Sequence, residues 1–329
     1  MDIDFVVLWV DGADENWLKE KNEYSLESVN YSDKNRFRDW GNLQYWFRGV
    51  EKFAPWVRKV HFITWGHLPN WLNKNNPKIN IIKHEQYIPR EYLPTFNSHT
   101  IELNINKIDD LAENFVYFND DMFITKSVEK EDFFKNGLPC DMCALDLVVP
   151  FDLFSHILFN NIKIVNKHFE KHDVISKNFF KWFNLKNGKH LRKTLKLNSW
   201  NSFTGFVNPH LPIAFNKKNF NELWKLENEI LKQTCLNKFR SKTDVNIWLV
   251  RYWQIIKGDF YPSKASKGKF YSITDNKISC NSLYDDIVKQ RYKMLCINDN
   301  ASLEVFEYSK KSICKAFEKI LSEKSSFEV

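Results

Sequence analysis

Short apolar runs that end in polar or turn-forming residues recur through the first part of the chain. These runs cover Asp4–Val10, Val57–Gly66, Ile79–His84 and Phe115–Phe123. Runs of this length, rich in β-branched and aromatic residues and bounded by turn signals, are typical of buried β-strands. The pattern therefore predicts four strands in this part of the chain.

Apolar residues spaced three or four positions apart predict helices between and after these strands. The first such stripe consists of Leu43, Trp46, Phe47, Val50 and Phe53. Similar stripes predict helices over residues 98–115, 243–257 and 300–329, and the last of these is amphipathic.

Strands that alternate with helices favour an α/β fold, in which a mostly parallel sheet carries helices on both faces. No linker interrupts the chain, so we predict a single catalytic domain over residues 1–329 with a basic, aromatic-rich, mainly helical insertion at 151–200. Ligands of parallel sheets bind at the carboxyl ends of the strands. Three polar clusters are expected there: Asp11–Gly12, Thr64–Gly66 and Asn119–Asp121.

Two arginines precede the first predicted helix. Arg36, Arg38 and Asp39 stand together there, where a helix N-terminus already offers a positive dipole and unpaired N–H groups. A structural cap needs only the aspartate. The two guanidiniums therefore indicate that an anionic ligand is held at this position.

A further arginine occupies a similar place near the helix predicted over 243–257. Arg240 precedes that helix, which Thr243 or Asp244 can cap. Arg240 can bind a phosphate together with the helix N-terminus, or it can be an ordinary surface arginine.

Asp120 and Asp121 are adjacent carboxylates at the end of an apolar strand. Such a pair is costly unless it is solvated or bound to a cation. Mg²⁺ and Mn²⁺ favour oxygen ligands and often bridge to substrate phosphates. The pair predicts a metal site, and a solvated turn is the alternative.

Histidine and polar residues supply further candidates. His210 lies between two prolines, which restrict the backbone and would hold the imidazole in one place. Asn97, Ser98 and His99 begin the helix predicted over 98–115, where Ser98 can also act only as a cap. A lone histidine is more often structural than catalytic, so these positions gain meaning only in combination.

The charge of the chain is local. The net charge is +7, and Asn161–Leu197 alone holds ten Lys and Arg against two Asp and Glu, with aromatic residues interleaved. This segment is either a solvated insertion or a surface for anionic lipid headgroups or an anionic acceptor. No nucleic-acid recognition motif accompanies the charge, so no nucleic-acid partner is expected.

The cysteines and the lengths of the apolar runs indicate in which cellular compartment the protein is expected. Of six cysteines only Cys140 and Cys143 have a metal-like spacing, and no second pair accompanies them. The cysteines therefore read as core residues in a reducing compartment. No signal peptide and no run of membrane-spanning length is visible. We expect a cytoplasmic protein, at most peripheral at the inner face of the membrane.

Nucleotide-binding loops built on glycine are not predicted. The chain has nine glycines and contains neither G-x-x-x-x-G-K-S/T nor G-x-G-x-x-G. The remaining candidates are arginines, carboxylates and a histidine. Such a set suits transfer at phosphorus, where catalysis consists mostly of positioning and charge stabilisation.

Five stretches together resemble the Stealth family of bacterial capsular or exopolysaccharide sugar-1-phosphate transferases, which are related to the animal GlcNAc-1-phosphotransferase. The stretches are "IDFVVLWVDGADENW", "RFRDWGNLQYWFRGVEKFAPWVRKVHFITWGHLPNWLN", "LPTFNSHTIE…FVYFNDDMF", "NPHLPIAF" and "KFRSKTDVNIWLVRYWQ". They correspond to four family regions in order, from about Ile3 to Gly258. The long insertions of the animal enzyme are missing, so recognition of a protein substrate is not implied.

The resemblance implies a glycosyltransferase-A-like fold and a UDP-hexose or UDP-N-acetylhexosamine donor. It implies that the sugar 1-phosphate is transferred to a hydroxyl of a lipid-linked or polymeric saccharide, that UMP is released, and that Mg²⁺ or Mn²⁺ takes part. Asp39, His210 and Arg240 fall on positions that match active-site residues. The carry-over of Asp120 and Asp121 as metal ligands is an expectation of the same kind.

Roles follow as hypotheses. Donor-binding residues are expected to be Asp11, Gly12, Arg36, Arg38, Thr64, Asn97, Ser98 and His99. His210 is the expected general base, with Asp39 as the rival base, and Arg240 would stabilise the transferred phosphoryl group. Two other functions stay open: a glycosyltransferase that attacks the anomeric carbon and releases UDP, and a non-catalytic, membrane-peripheral polysaccharide-binding protein.

Overall fold

Four parallel strands from the first part of the chain form the centre of the fold. The structure is a computed structural model, and it describes residues 1–25, 37–264 and 267–329. The strands within these residues are β1 (Ile3–Leu8), β2 (Val60–Thr64), β3 (Ile79–Lys83), β4 (Asn114–Phe118), β5 (Met122–Ile124), β6 (Phe134–Lys135), β7 (Leu138–Asp141), β8 (Ile213–Asn216), β9 (Tyr261–Pro262), β10 (Gly268–Ile273) and β11 (Met294–Asp299).

Helices connect and cover the strands. Over the same residues they are α1 (Glu15–Tyr24), α2 (Leu43–Phe53), α3 (Ser98–Leu103), α4 (Lys130–Phe133), α5 (Leu153–His168), α6 (Lys171–Lys177), α7 (Phe179–Trp182), α8 (His190–Leu197), α9 (Lys217–Leu226), α10 (Asn228–Leu236), α11 (Ile247–Ile256), α12 (Lys277–Val288) and α13 (Leu303–Ile320). None of these described helices is both long and apolar enough to cross a membrane.

The central sheet has the strand order β3-β2-β1-β4-β8. Strands β1 to β4 run parallel, and β8 pairs antiparallel with β4, where Tyr117 lies opposite Ile213. Two smaller sheets have the orders β10-β11-β5 and β6-β7-β9. The predicted mostly parallel α/β architecture is therefore confirmed.

Alternation along β1 explains why helices cover both faces of the sheet. Phe5 and Val7 point into one hydrophobic core, which contains the apolar stripe of α2, whereas Val6 points into the other, which contains Leu249 of α11. All three β1 side chains are fully buried, as expected for a strand whose successive side chains face opposite layers. Each fully buried phenylalanine or valine contributes roughly 1.5–3 kcal/mol to the burial free energy.

The strand predicted over Phe115–Phe123 is in fact two strands in two different sheets. Strand β4 ends at Phe118, a turn joins Asn119 to Met122, whose N–H donates to the Asn119 carbonyl at 3.1 Å, and β5 then pairs with β11. The prediction was wrong in its length because the polar turn between the two apolar halves redirects the chain.

The helix predicted over 98–115 was wrong beyond Leu103. The side chain of Asn104 donates to the Thr100 carbonyl at 2.7 Å, and a side chain that bonds locally to the backbone competes with helix continuation. A 3₁₀ turn follows at Ile105–Lys107. The apolar residues Ile105, Ile108 and Leu111 are still buried, which is why their spacing resembled a helical stripe.

The C-terminal amphipathic helix occupies Leu303–Ile320, less than the predicted 300–329. The residues after it return to α2, where Glu328 accepts two hydrogen bonds from Arg48, at 2.9 and 2.8 Å. The Val329 N–H donates to the Trp71 carbonyl at 2.9 Å.

The basic segment folds into α5 to α8, and part of its charge is structural. The ammonium group of the buried Lys171 donates to the carbonyls of Leu197 and Trp200, both at 2.6 Å. Lys181 donates to the carbonyl of Phe260 at 3.0 Å. The single catalytic domain over 1–329 and the insertion boundaries of 151–200 stay predictions.

Candidate functional site

The carboxyl ends of β1, β2 and β4 lie at one edge of the sheet because these strands are parallel and adjacent. At this edge the Asp11 N–H donates to His67 Nε2 at 2.7 Å, and Thr64 Oγ1 donates to the His67 carbonyl at 2.7 Å. The predicted donor residues Asp11 and Thr64 therefore meet at His67, and Thr64 is buried there.

Gly12 lies where another chain segment passes closely. A Cβ atom built on Gly12 would lie 2.1 Å from the Phe37 carbonyl oxygen, which is far inside contact distance. The glycine thus permits the segment that carries Arg38 and Asp39 to lie against the end of β1. Arg36, predicted to bind the donor, lies outside the described residues.

The strand order also brings His210 to this edge. Tyr117 near the end of β4 pairs with Ile213 at the start of the antiparallel β8, so the loop before β8 lies beside Asn119–Asp121. His210 in this loop has a φ of 53°, in the left-handed region that non-glycine residues seldom adopt. Such backbone conformations cost about 1–3 kcal/mol and cluster at functional sites.

The surroundings of His210 favour a neutral imidazole. Burial lowers its pKa, Asp121 and Glu102 oppose this change, and Arg240 adds to it. Phe270 and Trp248 flank the imidazole, with ring centroids at 5.1 and 5.9 Å. The ring therefore lies in an aromatic surrounding beside carboxylates and a guanidinium.

The carboxylates at the end of β4 differ in their surroundings. Asp120 is exposed at the surface, yet the protein packed around it removes part of its hydration. This desolvation and the nearby Asp121 and Asp39 carboxylates raise the pKa of Asp120 to about 7. Burial also raises the pKa of Asp121, with His210 and the Cys296 thiol opposing it. The Cys296 Sγ lies 3.3 Å from Asp121 Oδ2.

Asp39 and Arg38 separate at the start of α2. Asp39 is exposed and accepts a hydrogen bond from the Gly41 N–H at 2.8 Å, and its carboxylate lies within electrostatic range of Asp120. Arg38 instead lies against the C-terminal part of the chain: its Nε is 3.2 Å from Asp299 Oδ2, and its Nη2 donates to the Ala301 carbonyl at 2.7 Å. Asn42, with no side-chain cap bond, is the N-cap of α2.

Arg240 meets the start of α3. Its Nη2 donates to Ser98 Oγ at 2.7 Å, and its charge influences the pKa values of His99, Tyr117 and His210. Arg240 therefore lies within electrostatic range of the end of β4 and of the loop of His210.

Asp244 holds the Arg240 loop to α3. Its carboxylate lies 3.0 Å from His99 Nδ1 and accepts hydrogen bonds from Asn97 Nδ2 at 2.9 Å and from the Ser241 N–H at 3.0 Å. Asn97 and His99, predicted as donor-binding residues, are buried and engaged in this network. Asp244 does not cap α11, because Asn246 accepts the Trp248 N–H instead.

Tyr117 joins Glu102 of α3 to Asn119 at the end of β4. The Tyr117 hydroxyl lies 3.1 Å from Glu102 Oε1 and also contacts the side-chain oxygen of Asn119. A hydroxyl has one proton, so it donates to one of these oxygens at a time. Burial, with Glu102 and Asp121 nearby, raises the pKa of Tyr117, so the group stays neutral.

The acid pair fits a divalent cation that binds together with phosphate. Asp121 Oδ1 is buried and has no hydrogen-bond partner among the described residues. Across residues 1–25, 37–264 and 267–329, no three His, Cys, Asp or Glu side chains already form a cluster that could hold an ion. Mg²⁺ is commonly held by one or two carboxylates, with waters and substrate phosphates completing its ligands. Asp120 and Asp121 meet that requirement.

Sequence reasoning missed the contribution of β11. Asn298 lies near the Asp121 carboxyl and lowers its pKa, which favours the ionised form, and the Cys296 Sγ lies 3.3 Å from the same group. The apolar run Met294–Ile297 followed by Asn298–Asp299 repeats the pattern of an apolar strand ending in polar residues. That signal could have identified the strand, although not its position beside β5.

These elements define an α/β protein in which arginine, histidine and carboxylate side chains lie near one another at the carboxyl edge of a parallel sheet. Two conserved regions of Stealth proteins match the chain: conserved region 1 at residues 1–29 and conserved region 2 at residues 36–140. A capsular polysaccharide phosphotransferase, WcwK, of Streptococcus pneumoniae is 45% identical over 330 residues, which covers 99% of this chain and 98% of the relative. The chain belongs to the Stealth family.

Other relatives agree with this membership. An exopolysaccharide phosphotransferase, cps2G, of Lactiplantibacillus plantarum is 41% identical over 329 residues, covering 99% of this chain and 96% of the relative. The resemblance predicted from the sequence is confirmed, and its third and fourth family regions stay predictions.

Among solved structures, the galactosyltransferase LgtC in complex with donor and acceptor sugar analogues is similar to this chain. The sequence identity is 11%, the alignment covers 96% of each chain, and the TM-score is 0.40. At this TM-score the likeness is too remote to support an argument about fold or activity.

Proposed function

We propose that this protein transfers a hexose- or N-acetylhexosamine-1-phosphate from a UDP-sugar to a hydroxyl of a saccharide acceptor. The product is a phosphodiester, UMP is released, and the pathway is capsular or exopolysaccharide biosynthesis. The observation that carries the proposal is the convergence of Arg240, His210 and the Asp120–Asp121 pair at one edge of the sheet. The phosphotransferase names of the family relatives support it.

The acceptor oxygen attacks the sugar-linked phosphorus of the donor. A new P–O bond forms, the bond between that phosphorus and the bridging oxygen breaks, and the bridging oxygen leaves with UMP. The proton of the acceptor hydroxyl goes to His210, whose lowered pKa favours the neutral form that a base requires. Asp39 is the alternative base, because it is exposed at the same edge.

Arg240 offsets negative charge on the transferred phosphoryl group. Its bond to Ser98 and the anchoring of its loop by Asp244 orient the guanidinium before substrate binds. A preoriented charge is more effective than one that must reorganise during the reaction. Asp11 and Gly12 at the end of β1 are proposed to line the donor site.

Asp120 and Asp121 would hold a Mg²⁺ or Mn²⁺ ion together with the donor diphosphate. When bound, such an ion neutralises charge on the phosphate oxygens and favours departure of the nucleotide. In its absence from the site, the two carboxylates would repel the donor, so the pair has a role only with a cation.

The charge of the site favours phosphoryl transfer over glycosyl transfer. Attack at the anomeric carbon develops positive charge on the sugar ring, which the guanidinium of Arg240 would oppose. Attack at phosphorus leaves charge on oxygens, which the same guanidinium stabilises.

The nucleotide product tests the proposal. The protein is incubated with a panel of UDP-sugars, a saccharide acceptor and Mg²⁺, and the nucleotide released is identified. We expect UMP, a phosphodiester resonance in the phosphorus NMR spectrum of the product, and retention of the donor anomeric configuration because the C1–O bond is not broken. Release of UDP with a phosphate-free glycoside would contradict the proposal.

A lipid-linked or polymeric acceptor would bring the protein to an anionic membrane surface. Phe179, Phe180 and Leu185 of the basic segment are exposed, and Phe180 is 85% exposed, beside the exposed Lys177 and Lys189. We propose that this face contacts the inner leaflet. Lys177 and Lys189 form no ion pair with described residues, so neutralising them should weaken sedimentation of the protein with anionic vesicles. Unchanged sedimentation would mean that the segment is a solvated insertion.

A further inference from the structure

A cavity away from the carboxyl edge concentrates positive charge. Its volume is about 420 Å³, within the range of small-molecule sites, roughly 300–1,000 Å³. Seven lysine and arginine side chains line it against one glutamate, Glu131. A cleft lined by one sign of charge focuses its field and attracts counter-ions.

Four of these cations have no carboxylate partner among the described residues. They are Lys126, Lys135, Lys186 and Lys264. Lys135 and Lys186 lie over the ring of Tyr261, at 5.0 and 4.7 Å from its centroid. The ammonium groups are thus held near one another around an aromatic wall, an arrangement that repels itself unless an anion is bound.

The walls of the cavity are well anchored. Asp132 accepts from Lys267 at 2.9 Å and from Lys293 at 2.5 Å, and the Lys293 N–H donates to the Lys267 carbonyl at 2.8 Å. Lys186 Nζ donates to the Pro262 carbonyl at 3.0 Å. Segments far apart in sequence are therefore joined around the cavity by hydrogen bonds.

This cavity is separate from the site at the carboxyl edge. Lys293 precedes β11, whereas Asn298, which lies near the Asp121 carboxyl, is close to the other end of the same strand. The rise of about 3.3 Å per residue in a strand places these two positions about 17 Å apart. The cavity cannot therefore hold the same phosphate groups that the Arg240 site holds.

We propose that this cavity is a second binding site for phosphoryl oxyanions, a phosphate or diphosphate group carried by a molecule that the protein binds outside its transfer site. Clustered ammonium groups serve as point-charge donors to phosphate oxygens. The carrier is either a soluble diphosphate or a lipid phosphate headgroup, and both present the same chemistry to the cavity.

The test uses the full chain with Arg240→Ala, which weakens phosphate binding at the transfer site so that the cavity is observed. Sodium pyrophosphate is titrated at low salt into this protein, into the same protein with Lys126→Gln, Lys135→Gln and Lys264→Gln, and into a control with Lys225→Gln, Lys232→Gln and Lys311→Gln. The control lysines are exposed and unpaired with described residues. Circular dichroism melting confirms that all three are folded.

We expect the cavity variant to bind pyrophosphate at least about tenfold more weakly than the parent, because nearby lysines each strengthen anion binding, and the control to bind like the parent. Equal binding by cavity variant and parent would overturn the proposal. Sedimentation with phosphatidylcholine vesicles that contain phosphatidic acid, or phosphatidylserine as comparison, distinguishes the sources. If the parent prefers phosphatidic acid vesicles and the cavity variant does not, the carrier is a lipid headgroup. If the parent shows no such preference but binds pyrophosphate through the cavity, the carrier is a soluble diphosphate.

Discussion

The guanidinium of Arg240 lies 2.7 Å from the hydroxyl of Ser98, a residue 142 positions earlier in the chain. Two further contacts join the same segments: the Phe96 N–H donates to the Lys238 carbonyl at 2.9 Å, and the rings of Phe96 and Phe239 stack with centroids 5.4 Å apart. The segment that precedes the arginine is therefore packed against the start of α3, which holds the guanidinium near Ser98.

Removal of the Arg240 charge should affect the reaction much more than folding. We expect Arg240→Ala to lower the rate of nucleotide release by about 10²-fold or more, the scale for loss of a charge-stabilising donor. Arg240→Lys should restore little, because an ammonium lacks the planar fork of the guanidinium. Arg90→Ala, at an exposed arginine, is the control, and a rate for Arg240→Ala within threefold of this control would exclude the role.

Single variants test whether His210 acts as the base. We expect His210→Ala to lower the turnover rate by about 10²-fold or more, because its imidazole has no substitute within the aromatic surrounding of Phe270 and Trp248. The turnover rate of Asp39→Ala is expected to fall by a similar factor, because Asp39 is proposed to orient the acceptor hydroxyl. Initial rates at saturating donor measure both, and a near-normal rate for His210→Ala would transfer the base role to Asp39.

Asp244 should act through the position of Arg240. In Asp244→Asn the shape is kept, but the charge that accepts from Asn97, His99 and the Ser241 N–H is lost. A hydrogen bond to a charged group contributes about 1.5–3 kcal/mol. Weakening these bonds should loosen the loop that carries Arg240, so we expect at least a tenfold loss in kcat/KM and a lower melting temperature. Asp173→Asn, at an exposed carboxylate, is the matched control. Unchanged kcat/KM in Asp244→Asn would mean that the loop is positioned by packing alone.

Metal removal tests the acid pair. We expect excess chelator to abolish turnover and added Mg²⁺ or Mn²⁺ to restore it. Asp120→Asn and Asp121→Asn should each require more metal for a half-maximal rate, because each removes one of the two carboxylates proposed to bind the ion. Turnover rates over a series of metal concentrations make the measurement. Full activity in chelator would remove the ion from the reaction, whereas normal metal dependence in both variants would place its ligands elsewhere.

A buried carboxylate at the start of β1 should govern acid stability. Burial would raise the pKa of Asp4, but hydrogen bonds from His61, Arg58 and the Ala112 N–H lower it below its usual value. A depressed folded-state pKa stabilises the fold above the unfolded pKa of about 3.9, and this contribution is lost as pH falls through the folded pKa.

Replacing this carboxylate leaves Arg58 without its buried partner. We therefore expect Asp4→Asn to lower the free energy of unfolding by about 3–5 kcal/mol near pH 7, and the difference from the parent to shrink below about pH 4 as Asp4 of the parent protonates. Urea unfolding of parent and variant near pH 7 and below about pH 4 measures this difference in free energy. Asp2→Asn, at an exposed position, is the control. A pH-independent difference would mean that packing, not charge, is lost.

The apolar pattern by itself determined most of the local elements and the edge of the sheet where chemistry would gather. The stripe from Leu43 to Phe53 forms α2, and Asp11 and Asp120 follow parallel strands because strands that alternate with helices run in the same direction. Periodicity records which side of an element is buried, and this information is contained in neighbouring residues.

The contacts that complete the site were decided only by tertiary structure. Arg38 bonds near Asp299, Arg240 reaches Ser98, and β11 brings Asn298 beside Asp121. Each of these pairs joins segments more than a hundred residues apart, and a local pattern carries no information about which distant segment will pack against it. The partner is selected when the hydrophobic faces of whole elements are buried together, so the directions of these charged side chains follow from the packing of the cores rather than from their own neighbours in sequence.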